Sequence, residues 1–179
     1  DQPFFFSKPP QSITQLNTIS FPTQTNNLHH EVELVVFIGT KCSDVKKEDA
    51  HESIFGYGVG VDLTKRDLQD IAKKNGKPWD LSKGFDNSAP ISEIVQNEKN
   101  VLRQGEINLS VNGVKKQSSN LSNMAWEVDE IISWLSKFIT LYPGDIIFTG
   151  TPAGVGKLNP GDQVDGSIES VGSLSFKLV

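Results

Sequence analysis

A chain of 179 residues, 36% of them apolar, is long enough for one compact domain with its own core and too short for two comfortable ones. Its net charge of −5 at pH 7 comes without any cluster of Lys or Arg, which argues against a nucleic-acid backbone or an anionic membrane as partner and towards a small-molecule ligand. Cys42 is the single cysteine, so an intrachain disulfide is excluded and a reducing compartment favoured; the Asn-x-Ser sequons at Asn108 and Asn120 then read as chance matches.

Residues 1 to 28 are rich in Pro, Ser, Thr, Asn and Gln, which predicts extended segments and turns rather than helix. The first residues carry neither a basic n-region nor a transit-peptide composition, and no run approaches the length of a membrane span. The chain opens on Asp1 rather than Met, which is compatible with the removal of an N-terminal segment.

The run from His29 to Gly39 predicts a strand over about 31–38. Side chains alternate along a strand, so Glu31 and Glu33 share one face, followed on it by Val35 and Phe37. A lone Glu-x-Glu ordinarily marks a solvated strand end. Two like charges opening an apolar strand are costly unless water, partners or a cation compensates them. A second strand, about 57–63, puts Tyr57, Val59, Val61 and Leu63 on one face and only glycine on the other until Asp62. Such a bare face suits close approach to the first strand, bringing Asp62 within reach of Glu31 and Glu33. Three carboxylates form a hard oxygen site suited to Mg²⁺, with Mn²⁺ or Ca²⁺ also accommodated.

A helix is predicted from Thr64 to Asn75, with Thr64 as N-cap, Asp67 three residues on, Leu68, Ile71 and Ala72 as its apolar face, and Gly76 and Pro78 as its stop. Arg66 and Gln69 lie one turn apart on it and lean over the same site. Trp79, Lys83, Phe85 and Asp86 fall in loop-like sequence. Lys83, flanked by Trp79, Leu81 and Phe85, is a candidate for a desolvated ammonium tuned for proton transfer or for holding an enolate, although most lysines are surface residues. Farther on, Ile107 to Val111 with Asn112-Gly113 predicts a hairpin, and Glu127 to Lys137 a second helix. Pro143-Gly144-Asp145 and Pro160-Gly161-Asp162 predict turns ahead of strands. The loop Gly150-Thr151-Pro152-Ala153-Gly154-Val155-Gly156 offers backbone N–H groups and the Thr151 hydroxyl to an anion, but it lacks the Gly-Lys-Ser/Thr ending of a Walker loop and also reads as a plain turn. His29, His30 and His51 could act as bases, though the adjacent pair reads as support for the strand end; Cys42 reads as inert.

Taken together, His29-His30-Glu31-Val32-Glu33, Asp62-Leu63-Thr64-x-Arg66-Asp67-x-Gln69, Gly76-x-Pro78-Trp79 with Lys83, Pro143-Gly144-Asp145 and Gly150-Thr151-Pro152-x-Gly154-Val155-Gly156 resemble the fumarylacetoacetate hydrolase family. The likeness covers nearly the whole chain and is greatest to the short members of the acylpyruvase and oxaloacetate decarboxylase or tautomerase type. It implies an α+β fold, a mixed β-sheet roll with few short helices, in a single catalytic domain over 1–179 that usually forms a homodimer. It also implies Mg²⁺ held by Glu31, Glu33 and Asp62, Lys83 as the acid/base or enolate-stabilising residue, and Arg66, Gln69, Thr151 and Gly150 around the substrate. A mitochondrial location follows from the resemblance alone.

Family hydrolases also carry an N-terminal lid whose His and Glu activate water. That dyad is missing from this chain, and the stretch from Glu98 to Glu106 is shorter than usual. Enolisation of a β-dicarbonyl 2-oxo acid needs no activated water, whereas hydrolysis of an acylpyruvate does. The sequence therefore favours an oxaloacetate tautomerase or decarboxylase, with an acylpyruvate (fumarylpyruvate-type) hydrolase second and a catalytically inactive binding homologue third.

Overall fold

The structure, a computed structural model, describes residues 2–96 and 101–179. The expectation of a short segment beginning at Glu98 falls partly outside the described residues. Two larger sheets form the body. One runs in the order Val114–Asn120, Glu106–Val111, Gln163–Ile168, Gly172–Leu178, Thr18–Ile19; the other in the order Ile146–Phe148, Val32–Ile38, Ile54–Val61, Val95–Gln96. A three-stranded sheet of Gly156–Leu158, Leu28–His30 and Thr64–Lys65 adjoins them. Most pairs are antiparallel, but Ile13–Thr14 with Ala89–Pro90 and Thr18–Ile19 with Gly172–Leu178 are parallel, so the architecture is mixed. With few short helices, this is the α+β roll that the resemblance implied.

The Val32–Ile38 strand is buried on both faces. Val32, Leu34 and Val36 join Val59, Val61, Leu109, Val164 and Phe176 in the main core. Glu33, Val35 and Phe37 point the other way, directly opposite Gly60, Gly58 and Gly56 of the Ile54–Val61 strand. The glycines leave room for rings. A Cβ on Gly60 would sit 2.5 Å from both Val35 Cγ2 and Phe148 Cε1, so Phe148 packs against bare backbone there. Gly60→Val should therefore destabilise the fold by about 1–3 kcal/mol, since neither side chain can retreat from a packed layer; urea denaturation reads the loss, and an unchanged midpoint would show that the layer has slack.

Three expected elements have different limits. The strand expected over 31–38 is Val32–Ile38, and an unexpected strand, Leu28–His30, precedes it in a different sheet, the two parting at Glu31. The first helix spans Arg66–Lys74, because Thr64 and Lys65 pair with His29 and Leu28 as a strand before the helix begins. Thr64 is consequently not its cap, and Asp67 turns its carboxylate to the Thr25 hydroxyl at 2.6 Å. Lys83 closes a one-turn helix, Asp80–Lys83, where a loop was expected. The other long helix, Val128–Ser136, lies just inside the expected limits, with Glu127 and Glu130 forming a capping box.

Candidate active site

Strand register brings the acids together. Glu33 pairs with Gly60 and Val32 with Val61, and one step further the Asp62 N–H donates to the Glu31 carbonyl at 2.8 Å. Asp62 thus faces Glu31 across the end of the ladder, at the point where the chain changes sheets. Oxygens of Glu31, Glu33 and Asp62 lie within 4.8 Å of one another, and all three side chains are buried.

Basic groups converge on this cluster from three elements. The Lys83 ammonium, 2% exposed, donates to Glu31 Oε2 at 2.7 Å, Asp62 Oδ2 at 2.5 Å and Thr64 Oγ1 at 2.6 Å. Lys8, in the N-terminal segment, donates to Asp62 Oδ1 at 2.7 Å and to the Lys83 carbonyl. Arg66 bridges Glu31 Oε1 and Gln69 Oε1 from the first turn of its helix, which leaves Gln69 buried beside it. Formally the site holds three carboxylates and three cations. Rings close over them, with Phe6 4.8 Å from the Lys83 ammonium and Phe85 5.7 Å from that of Lys8.

The charges are not evenly shared. Burial would push Glu31 up, but Lys83 and Arg66 override it and hold the carboxyl below its usual range. Glu33 goes the other way: burial, then the nearby Asp62 charge, push it up to about 8, against the Gly150 N–H that donates to its Oε2 at 2.6 Å. Burial also lowers Lys8 despite the Asp62 contact. Among the described residues Glu33 has no basic side-chain partner. The cluster is short of positive charge at Glu33, and a hard trio of carboxylates with that deficit fits a divalent cation.

Gly150 reaches the site through its contact with Glu33. The Thr151 hydroxyl donates to the Val32 carbonyl at 2.8 Å, at the edge of the same strand break. His29 lies nearby, its ring 3.4 Å from Arg66 Nε, whereas His30 is buried against Gln117 and His51 is bonded to the Glu48 carbonyl on a surface turn. Three residues at the site escape sequence reasoning. Lys8 sits in a stretch that reads as irregular, Thr64 reads as a helix cap, and Gln117 lies in a run of polar residues with no pattern of its own.

The fold is thus a mixed α+β roll that sets a lysine among buried carboxylates at the junction of two sheets. The chain belongs to the fumarylacetoacetate hydrolase family: the profile described as "Fumarylacetoacetate (FAA) hydrolase C-terminal" matches residues 1–179. It is similar to a fumarylpyruvate hydrolase of Ralstonia sp., 44% identical over 177 residues that make up 98% of this chain and 92% of the relative. It is also similar to the human mitochondrial oxaloacetate tautomerase, 40% identical over 179 residues, 99% of this chain and 81% of that protein. Among solved structures, the Pseudomonas aeruginosa fumarylpyruvate hydrolase in complex with Mn²⁺ and pyruvate superposes with a TM-score of 0.97 at 40% identity, covering 100% of this chain and 79% of that one.

Proposed function

We propose that this chain is a divalent-metal-dependent enzyme acting on β-dicarbonyl 2-oxo acids, foremost as an oxaloacetate keto–enol tautomerase or decarboxylase. The observation that carries the reading is the buried Lys83 ammonium held by Glu31, Asp62 and Thr64 inside the acid trio. Glu31, Glu33 and Asp62 would hold Mg²⁺. When bound, the ion supplies electrostatic stabilisation for negative charge developing on the 2-oxo oxygen.

The remaining work falls to the protein. Two carboxylates and a hydroxyl hold the Lys83 ammonium at the site before substrate arrives and take all three of its N–H bonds; a carboxylate given over to the ion would release one of them towards C3. In ketonisation it gives a proton to C3 of the enol and the enol O–H proton leaves to water. In decarboxylation the C3–C4 bond breaks, C4 leaves as CO2, its bonding electron pair enters the C2–C3 enolate, and Lys83 protonates C3 and then regains a proton from water. Arg66, braced by Gln69, presents a planar fork to the substrate carboxylate, and Gly150 and Thr151 border the oxo group. Phe6 and Phe85 limit water around the ammonium groups. Charge supports a dianionic substrate, because a site with three acids and three bases becomes +2 on taking up a divalent ion.

Fumarylpyruvate-type hydrolysis is the second reading, favoured by the similarity to the Ralstonia enzyme, and it requires an activated water in addition. Incubation with oxaloacetate and Mg²⁺, following enol absorbance and pyruvate release together, separates the cases. Loss of enol without pyruvate, abolished by a chelator, identifies a tautomerase, and matching pyruvate release a decarboxylase. Silence in both channels with turnover of fumarylpyruvate would reverse the order.

A further inference from the structure

The strand Val114–Asn120 is largely exposed, and Gln117 is its single fully buried residue, at 0%. Simple alternation does not put it there, since Lys115 is exposed two residues before it. The register explains the difference. Lys115 pairs with Ser110 and Gln117 with Leu109, so Lys116 is an extra residue in the strand. Such a bulge turns the following side chain to the other face.

Turned inward, the Gln117 carboxamide uses its full bonding capacity. Its Oε1 accepts from the Val32 N–H at 3.1 Å and from His30 Nδ1 at 2.8 Å, and its Nε2 donates to Thr151 Oγ1 at 2.8 Å and to the Pro152 carbonyl at 2.9 Å. Two donors and two acceptor positions are all an amide has. One side chain therefore ties the strand break beside Glu31 to the Gly150–Gly156 loop. The same loop meets the same bulge a second time. Gly154, at φ +102°, lies so close that a Cβ would come 2.2 Å from the Lys116 carbonyl oxygen.

We propose that Gln117 is a positioning residue, which sets Thr151 and Pro152 at a fixed distance from the acid trio so that the loop can border the oxo group of a 2-oxo acid. This rests on the function proposed above. The loop's first residues do not need it, because Thr149 is bonded through both its N–H and its hydroxyl to the Leu34 carbonyl. Gln117 acts on the part of the loop beyond Gly150, and the carboxylates stay on their strands.

Gln117→Glu tests this. The near-isosteric carboxylate still accepts from Val32 and His30 but sets lone pairs against Thr151 Oγ1 and the Pro152 carbonyl. Three measurements on the whole chain decide: Mn²⁺ affinity, pyruvate affinity of the Mn²⁺-loaded protein, and amide hydrogen exchange over residues 149–156. The expected result is Mn²⁺ affinity within about threefold of the parent, pyruvate binding weaker by about tenfold or more, and loop exchange faster by about tenfold or more. Unchanged loop exchange, or pyruvate affinity within about twofold of the parent, overturns the proposal. An equal loss of Mn²⁺ and pyruvate binding also overturns it, since that pattern marks a support of the whole fold. A parent protein that binds neither probe sinks the 2-oxo-acid reading instead, and loop exchange then decides the role of Gln117 alone. Gln117→Asn, which withdraws the donors by one methylene, replaces the glutamate variant if that one does not fold.

Discussion

Asp62→Ala is expected to abolish metal-dependent turnover while leaving a folded protein. Asp62 is the one acid of the trio in contact with two ammonium groups, those of Lys8 and Lys83. Its loss leaves Glu31 committed to Lys83 and Arg66, and Glu33 alone with a raised proton affinity. Removing a metal ligand should cost more than the roughly 10- to 100-fold in affinity seen when only a supporting group is lost. Folding should survive, because burial already eases Lys8 towards its neutral form, while Lys83 keeps Glu31 and Thr64. Asp62→Asn, which keeps the shape, should lose activity with a smaller drop in Tm. The check is a Mn²⁺ titration beside an oxaloacetate assay; retained metal-dependent activity in a folded variant would remove Asp62 from the site.

Lys83→Met should give the opposite split, with binding kept and turnover lost. Methionine preserves the length and apolar stem of the side chain but can neither give nor take a proton. A fall of about 10²- to 10⁴-fold in turnover is the scale expected for losing a positioned acid/base. The carboxylates of Glu31 and Asp62 lose their shared ammonium, so a divalent ion faces one competitor fewer and should bind at least as tightly as in the parent. Without metal the variant is the less stable protein, by about 3–5 kcal/mol, because the buried acids have lost their partner. Its Tm should accordingly respond to added Mn²⁺ more than the parent's does. Normal turnover in Lys83→Met would exclude the lysine from the chemistry.

Much of this arrangement was legible in the residues. Period-two alternation put Glu31 with Glu33, and the glycines facing Glu33, Val35 and Phe37 announced the close packing that sets Asp62 opposite Glu31. The helix carrying Arg66 and Gln69 was also visible, though expected to start two residues too early. Thr64 looks like a cap by type and spacing, but local propensity cannot foresee that Leu28–His30 will recruit it as a strand partner. The break at Glu31 was hidden for a related reason. The largely polar Leu28–His30 stretch carries no strand pattern of its own, and only its partners Thr64–Lys65 and Gly156–Leu158 make it a strand of another sheet. Lys8 and Gln117 are harder still, since one reaches the acids from 54 residues away and the other depends on a bulge that leaves no mark in composition.

The balance of three acids against Lys8, Lys83 and Arg66 bears on how the protein is assembled and maintained. A cluster that neutralises itself lets the polypeptide fold with no ion at hand, unlike small domains in which metal uptake is the folding free energy. Under the proposed assignment the two ammonium groups are tenants that an arriving ion must displace, which caps its affinity and keeps it exchangeable. Chelation should then silence the enzyme reversibly, and replenishment should revive it without any refolding.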